Sequence, residues 1–317
     1  MTLRPLSLLR LLPLLLLAHT ASAAEPPISA EARAEMISAI EKSRTAADAA
    51  LAKDPSSTDW LTRRGDARLF LGDAKGAVAD FEKEIALDPS HDAPHWRLGI
   101  AYHFAGDFAK SAKQFEKYHA YDGRDRENGV WQFLANARVV GLEKARAAML
   151  GYTRFDREPF PALYEMFAGK KTGAEVLAEM EKKSLGEDAL VMFFAHYYVG
   201  LNDDLLGHKD AARDNLAKAV ALALKSGARG GPGYMGQVAR LHYEDVEKID
   251  ARQLANAIVG NAGNAGQVLE DQNDGDRNHR DVMQVSNHGA GHSVLLADDR
   301  RAGVHDRIAQ LRLLVVS

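Results

Sequence analysis

Histidines near the C-terminus are the residues whose type and spacing could do chemistry. His288 and His292 are four positions apart, and two imidazoles at that spacing on a helix can bind zinc. Gly289 and Gly291 disfavour a helix there, and no Glu follows His288 as the HExxH metalloprotease motif requires. We therefore expect solvated histidines. An envelope hydrolase or metal-binding protein is kept as the alternative function, and it would use the tail histidines His279, His288, His292 and His305.

Other patterns that could carry chemistry are incomplete. The run that starts at Asp271 resembles a calcium loop, but Gly275 stands fifth instead of sixth and Val282 replaces the glutamate at the twelfth position. The sequence Gly230-Gly231-Pro232-Gly233 lacks the Gly-Lys-Ser/Thr of a phosphate loop, and the chain has no GxSxG nucleophile motif. We therefore predict a protein that is not an enzyme and has no cofactor and no metal.

Composition narrows the class of protein. The chain has 317 residues, with 40 Lys and Arg against 44 Asp and Glu, so its formal net charge is -4. A nucleic-acid-binding surface needs a basic surplus, so we expect no nucleic-acid partner. Cysteine is absent, which excludes disulfides, thiolate catalysis and Cys-ligated zinc. An apolar fraction of 46% indicates a globular protein.

A repeat of 34 residues predicts the fold. Gly65 recurs as Gly99, and Phe81 recurs as Phe115. Helix-turn-helix units of this period are tetratricopeptide repeats (TPRs), which stack because one hairpin has too little core of its own. The glycines are expected inside the first helix of each hairpin, where a glycine is unfavourable unless two helices approach closely. The sequence thus predicts an all-α, TPR-like solenoid of helical hairpins.

Three segments carry a resemblance to a known family. They are His95-Trp96-Arg97-Leu98-Gly99-Ile100-Ala101-Tyr102, Val130-Trp131-Gln132-Phe133-Leu134 and Tyr234-Met235-Gly236-Gln237-Val238-Ala239-Arg240-Leu241-His242. Over about residues 58 to 243, the chain resembles a group of uncharacterised, exported bacterial TPR proteins. It is more distantly similar to TPR lipoproteins that act as envelope adaptors. Their lipidated cysteine is missing here, so no lipid anchor is expected.

The two ends of the chain differ from the repeats. Residues 1–23 have a basic start, a short apolar run and Ala21-Ser22-Ala23, which is typical of a cleaved signal peptide. We expect a periplasmic or secreted protein without a membrane span. Residues 251–317 contain no Lys, Pro or aromatic residue, which predicts a low-complexity or poorly ordered tail. The alternative is translation of a shifted reading frame.

Between these ends, the sequence predicts an N-terminal helical cap over residues 24–57 and the TPR solenoid over 58–250. The last amphipathic stretch, from Tyr234 to Lys248, is predicted to be a helix that closes the stack. The oligomeric state does not follow from the sequence.

The concave face of the solenoid is the predicted binding site. First helices line this face in repeat proteins, and Trp and Arg are frequent interface anchors. For Trp96, wedging between neighbouring helices is an equal alternative. We predict a non-catalytic scaffold or adaptor that binds a protein or extended peptide, and a purely architectural spacer is another possibility. The predicted partner-binding residues are Arg63, Asp66, Trp96, Arg97, His103, Phe104, Gln132 and Asn136.

Overall fold

The computed structural model describes residues 26–226 and 233–249, together with Arg252. These residues all belong to one compact unit, Met1–Gln253. The predicted signal peptide and the predicted tail from 253 onward lie outside the described residues. Across the described part every regular element is helical, which confirms the predicted all-α, TPR-like class. None of the helices there is long and apolar enough to cross a membrane.

Twelve α-helices are described, together with a short 3-10 helix over Pro89–His91. In chain order they are α1 (Ala30–Lys53), α2 (Thr58–Phe70), α3 (Ala74–Leu87), α4 (Trp96–Phe104), α5 (Phe108–Tyr121), α6 (Arg126–Val140), α7 (Leu142–Ala147), α8 (Phe160–Phe167), α9 (Gly173–Lys182), α10 (Ala189–Leu206), α11 (Lys209–Ser226) and α12 (234–249).

Consecutive helices pack as hairpins, α2 with α3, α4 with α5, α6 with α7, α8 with α9 and α10 with α11. Short turns join the two helices of each hairpin. In the first two hairpins, Gly72 and Gly106 adopt left-handed φ angles of 87° and 82°, a conformation that costs glycine nothing. Asp73 then begins α3, since its side chain accepts a hydrogen bond from the Gly76 amide at 2.9 Å.

Close approach within each hairpin explains the repeated glycine. In the α4–α5 hairpin, a Cβ on Gly99 would lie 2.7 Å from the Phe115 ring, and Gly65 meets Phe81 in the same way in α2–α3. Phe81 and Phe115 are both fully buried. The 34-residue repeat therefore marks the places where a second-helix phenylalanine packs against a bare first-helix backbone.

Helix α1 extends the stack at its N-terminal side. Its first turn is capped by Ser29, whose hydroxyl accepts a hydrogen bond from the Ala32 amide at 3.2 Å. The Arg64 guanidinium of α2 donates to Asp80 of α3 at 2.6 and 2.9 Å, and to Asp48 of α1 at 3.1 Å. One arginine thus joins three helices through two carboxylates.

Helix α12 is present where a helix was predicted, and it contacts more than the last hairpin. Its residues contact side chains of α2, α4, α6 and α10, which are the first helices of four hairpins. It also pairs with α1, through Glu244 and Arg33 at 2.8 Å. Its buried residues, such as Val238, Ala239 and Arg240, are those of a helix packed among several others. A closing role for α12 stays a prediction.

Candidate functional site

The first-helix residues Phe70, Trp96, Phe104, Trp131 and Tyr197 form a surface that we call the groove, and α12 lies in it. Tyr234 near the start of α12 sits edge-on to Phe70 and Trp96, with ring centroids 4.9 and 4.7 Å apart. Edge-to-face packing of this kind is the favoured geometry for aromatic pairs. The aromatic side chains of the groove are therefore used to hold a helix.

Arg97 adds a cation to this aromatic contact. Its guanidinium lies 4.6 Å from the Trp96 ring centroid and 5.3 Å from that of Tyr234. The Arg97 Nε is 3.4 Å from Oδ1 of Asp66, on the neighbouring first helix. Burial raises the pKa of Asp66 to about 7, although Arg97 favours the charged form.

A histidine pair lies further along the groove. His242 of α12 packs on Phe104 with centroids 4.6 Å apart and on His103 at 5.8 Å. The Tyr197 hydroxyl is 2.9 Å from His242 Nδ1. Burial lowers the pKa of both histidines to about 3, and each mainly apolar setting therefore keeps its imidazole neutral.

The buried Arg240 fixes α12 from its other side. Only 1% of this residue is exposed. Its guanidinium donates to the Phe70 carbonyl at 2.5 Å, to Gln237 Oε1 at 2.9 Å and to Glu244 Oε1 at 2.9 Å. Glu244 also accepts from Arg33 of α1. A buried charge is tolerated here because several hydrogen bonds compensate it.

Three cavities lie along α12. One of about 270 Å³ is lined by His103, Arg138, His242 and Ile249 among others. Another of about 190 Å³ lies between α4, α5, α6 and Met235 of α12. A third, of about 560 Å³, lies between α1, Phe70 and Tyr234. The groove with α12 in place thus still offers concave surface.

A Thr-Glu-His cluster beside the groove looks like a catalytic set but is bonded differently. Glu84 accepts a hydrogen bond from the Thr62 hydroxyl at 2.6 Å and lies 3.2 Å from His95 Nε2. Burial alone would raise the pKa of Glu84, but the bonds from His95 and Thr62 lower it overall. His95 Nδ1 accepts from the Leu98 amide, capping α4. The imidazole therefore has no free nitrogen to take the Thr62 proton, as an activated nucleophile requires.

Five of the predicted site residues meet at α12, and three do not. Asp66, Trp96, Arg97, His103 and Phe104 lie along α12 as described above. Arg63 is exposed over the Trp60 ring, at 5.2 Å. Gln132 is 2% exposed and its amide points towards Glu116 of α5, at 3.3 Å. Asn136 is partly buried on α6. Partner binding by any of the eight stays a prediction.

The predicted site residues do not include those that α12 and α10 bring to the groove, namely Tyr197, Tyr234, Arg240 and His242. A signal was present, because residues 234–242 carry apolar or aromatic side chains on all sides of a helix after a glycine-rich break. The histidines of the tail and the Asp271 run lie outside the described residues. Within the described part, His, Asp and Glu side chains form no group of three that could hold a metal ion.

Comparison with known proteins gives a short likeness. No protein-family model matches the chain. A segment of 52 residues is 44% identical to the FK506-binding protein-like protein of Mus musculus. The segment covers 16% of this chain and only 15% of that protein's length. The likeness is therefore too short to show a family, and the fold is described by the structure itself as all-helical, with stacked, hairpin-like helices.

Proposed function

We propose that this protein is a non-catalytic adaptor that binds a protein or an extended peptide across the groove and α12. The stack of Trp96, Arg97 and Tyr234 carries the proposal. Trp, Tyr and Arg are the residue types on which binding energy concentrates in interfaces. Arg97 keeps 36% of its side chain exposed while its guanidinium is already held over two rings. Such a pre-ordered cation loses little conformational entropy when a partner covers it.

The surroundings of this stack favour a macromolecular ligand. Each of the three cavities is lined in part by α12, so a segment that follows this helix would pass more than one of them. Stacked hairpins offer such extended surfaces without moving parts. In this proposal, α12 is part of the binding surface and not a segment that must leave it.

We also propose that the protein is exported and belongs with the bacterial TPR proteins that it resembles. The basic start and apolar run of residues 1–23 support export. An adaptor in the periplasm or outside the cell would meet its partner there. The tail histidines remain the basis of the alternative, and a chain truncated after Asp250 would lose activity only if that alternative holds.

Replacing Arg97 by Ala tests the adaptor proposal. The change should weaken binding of the partner by about 2 kcal/mol, roughly 30-fold in Kd, because a pre-ordered interface cation is lost. Partners are first captured from an envelope fraction with the unaltered protein, then purified and measured by binding isotherms. The matched control is Arg124→Ala, an arginine that pairs with Asp122 in the α5–α6 loop and is 67% exposed. Equal affinities for all three proteins would refute a site at this stack.

A further inference from the structure

Four aromatic side chains line the cavity of about 190 Å³, together with two carboxylates. It lies beside Trp96 and between α4, α5, α6 and α12. Phe115 and Trp131 stack nearly parallel, with centroids 6.0 Å apart and an angle of 17°. Trp96, Tyr118 and Met235 are only partly buried, so the cavity opens towards solvent. Its apolar wall consists of Trp96, Ile100, Phe115, Tyr118, Trp131 and Met235.

Carboxylates form one end of this cavity. Asp125 caps α6 by accepting from the Glu127 amide at 3.0 Å, and Asn128 also donates to Asp125 at 2.7 Å. Glu127 accepts from the Tyr198 hydroxyl at 2.6 Å. Because both carboxylates are held by hydrogen bonds, their positions are fixed before any ligand arrives.

The carboxyl groups at this end are paired with one guanidinium. Arg157, from the loop before α8, donates to Asp125, Glu127 and Asp156. A single guanidinium therefore donates hydrogen bonds to three carboxylates. Burial raises the pKa of Glu127 to about 7, and burial also raises the pKa of Asp125. Ionised carboxylate is therefore disfavoured by burial here, and a further cation would favour it.

We infer that this cavity binds the ammonium or guanidinium group of a lysine or arginine side chain of the partner. Aromatic faces attract cations, and desolvated rings do so more strongly. The carboxylates supply hydrogen-bond acceptors and charge at the far end. A cavity of this volume is smaller than the usual drug-sized pocket, so it fits a side-chain head group. The inference rests on the proposed function, since it names the chemistry by which that partner is anchored.

Binding should depend on pH. A cation prefers the ionised form of Glu127, so its affinity should rise from pH 6 to pH 8, by up to tenfold for a carboxyl with a pKa of about 7. Groups facing Glu127 come from three places, namely the α6 N-cap Asp125, the loop residues Asp156 and Arg157, and Tyr197 and Tyr198 on α10. Of these groups, Asp125 also has a raised pKa, so its ionisation with rising pH should likewise favour cation binding.

The test uses n-butylguanidinium and n-butylammonium as probes, with 1-pentanol as the uncharged control. Each is titrated into the full chain, and binding is followed by the indole N–H resonances of Trp96 and Trp131. We expect saturable shifts with both cations, none with pentanol, and tighter binding at pH 8. Glu127→Gln should weaken binding at least fivefold at pH 8. The matched control is Asp204→Asn, a carboxylate paired with Arg138 and Lys209 away from this cavity.

A second variant keeps the inference testable if Glu127→Gln does not fold. Met235→Lys, at a partly buried position of the cavity wall, places a tethered ammonium in the site and should block both probes. Absence of saturable shifts in the unaltered protein at pH 8, or equal binding by Glu127→Gln with its fold intact, would overturn the inference. If a captured partner depends on Arg97 but not on Glu127, the adaptor proposal stands and only the cation site fails.

Discussion

Gly99 has no room for a side chain, because the Phe115 ring lies 2.7 Å from the place of a Cβ. Gly99→Leu should therefore overpack the α4–α5 contact and lower the free energy of unfolding by about 1–3 kcal/mol. Urea unfolding monitored by circular dichroism measures this. The matched control is Gly151→Leu, since a Cβ at Gly151 meets no atom within 4 Å. Equal stabilities for the two variants would contradict the close approach.

Single residues also show what the sequence could predict. Gly99 and Phe115 were identifiable because each recurs at a fixed period, so a repeated cause could be assigned to a repeated residue. Asp125, Glu127 and Arg157 were not. Arg157 is in an irregular loop 30 residues from Glu127 along the chain, and no local pattern reports that contact. The hairpins were thus predictable in detail, whereas the carboxylate end of the cavity depended on tertiary structure.

Among the elements, α12 was predicted as a helix but not as the occupant of the groove. Its hydrophobic pattern is local, whereas the surface on which it packs is formed by helices far apart in sequence, such as α1, α2 and α10. Arg240 illustrates the difficulty, because an arginine in an amphipathic helix is normally taken for a surface residue. Here it bonds to the Phe70 carbonyl, 170 residues away.

This burial makes Arg240 a test of how α12 is held. Arg240→Met should lower the free energy of unfolding by about 3 kcal/mol, because the Phe70 carbonyl and Gln237 lose a charged donor inside the protein. Hydrogen exchange should also quicken at the amides of Val238 and Leu241. Lys248→Met on the same helix is the control, since Lys248 is 61% exposed and pairs only with Asp245 among the described residues. Slow exchange in both variants would show that Arg240 does not secure α12.

At the scale of the whole molecule, buried ionisable groups of two kinds make stability depend on pH in opposite directions. Asp66 and Glu127 have pKa values raised to about 7, so the folded state binds their protons more tightly than the unfolded state does. Their contribution is present at low pH and is lost as the pH rises through 7. His103 and His242 have pKa values lowered to about 3, and they contribute stability above their ordinary value of 6.5. That contribution is lost as the pH falls from 6.5 towards 3.

As the pH falls from 6 to 4 the two kinds of group oppose each other, because the histidines lose stability while Asp66 and Glu127 gain it. Removing one histidine isolates its share of the acid-dependent loss. In His103→Leu the loss should be smaller by on the order of 2 kcal/mol. The unaltered protein buries the His103 Nδ1 without a hydrogen bond and so resists protonation of this imidazole, whereas the variant has no imidazole to protonate. Urea unfolding at pH 4, 5, 6 and 7 measures the difference. His208→Leu serves as the control, since His208 is 62% exposed in the turn between α10 and α11. If His103→Leu and His208→Leu follow the same pH profile, the acid sensitivity does not arise in the groove, and the neutral His103–His242 pair is not what limits stability in acid.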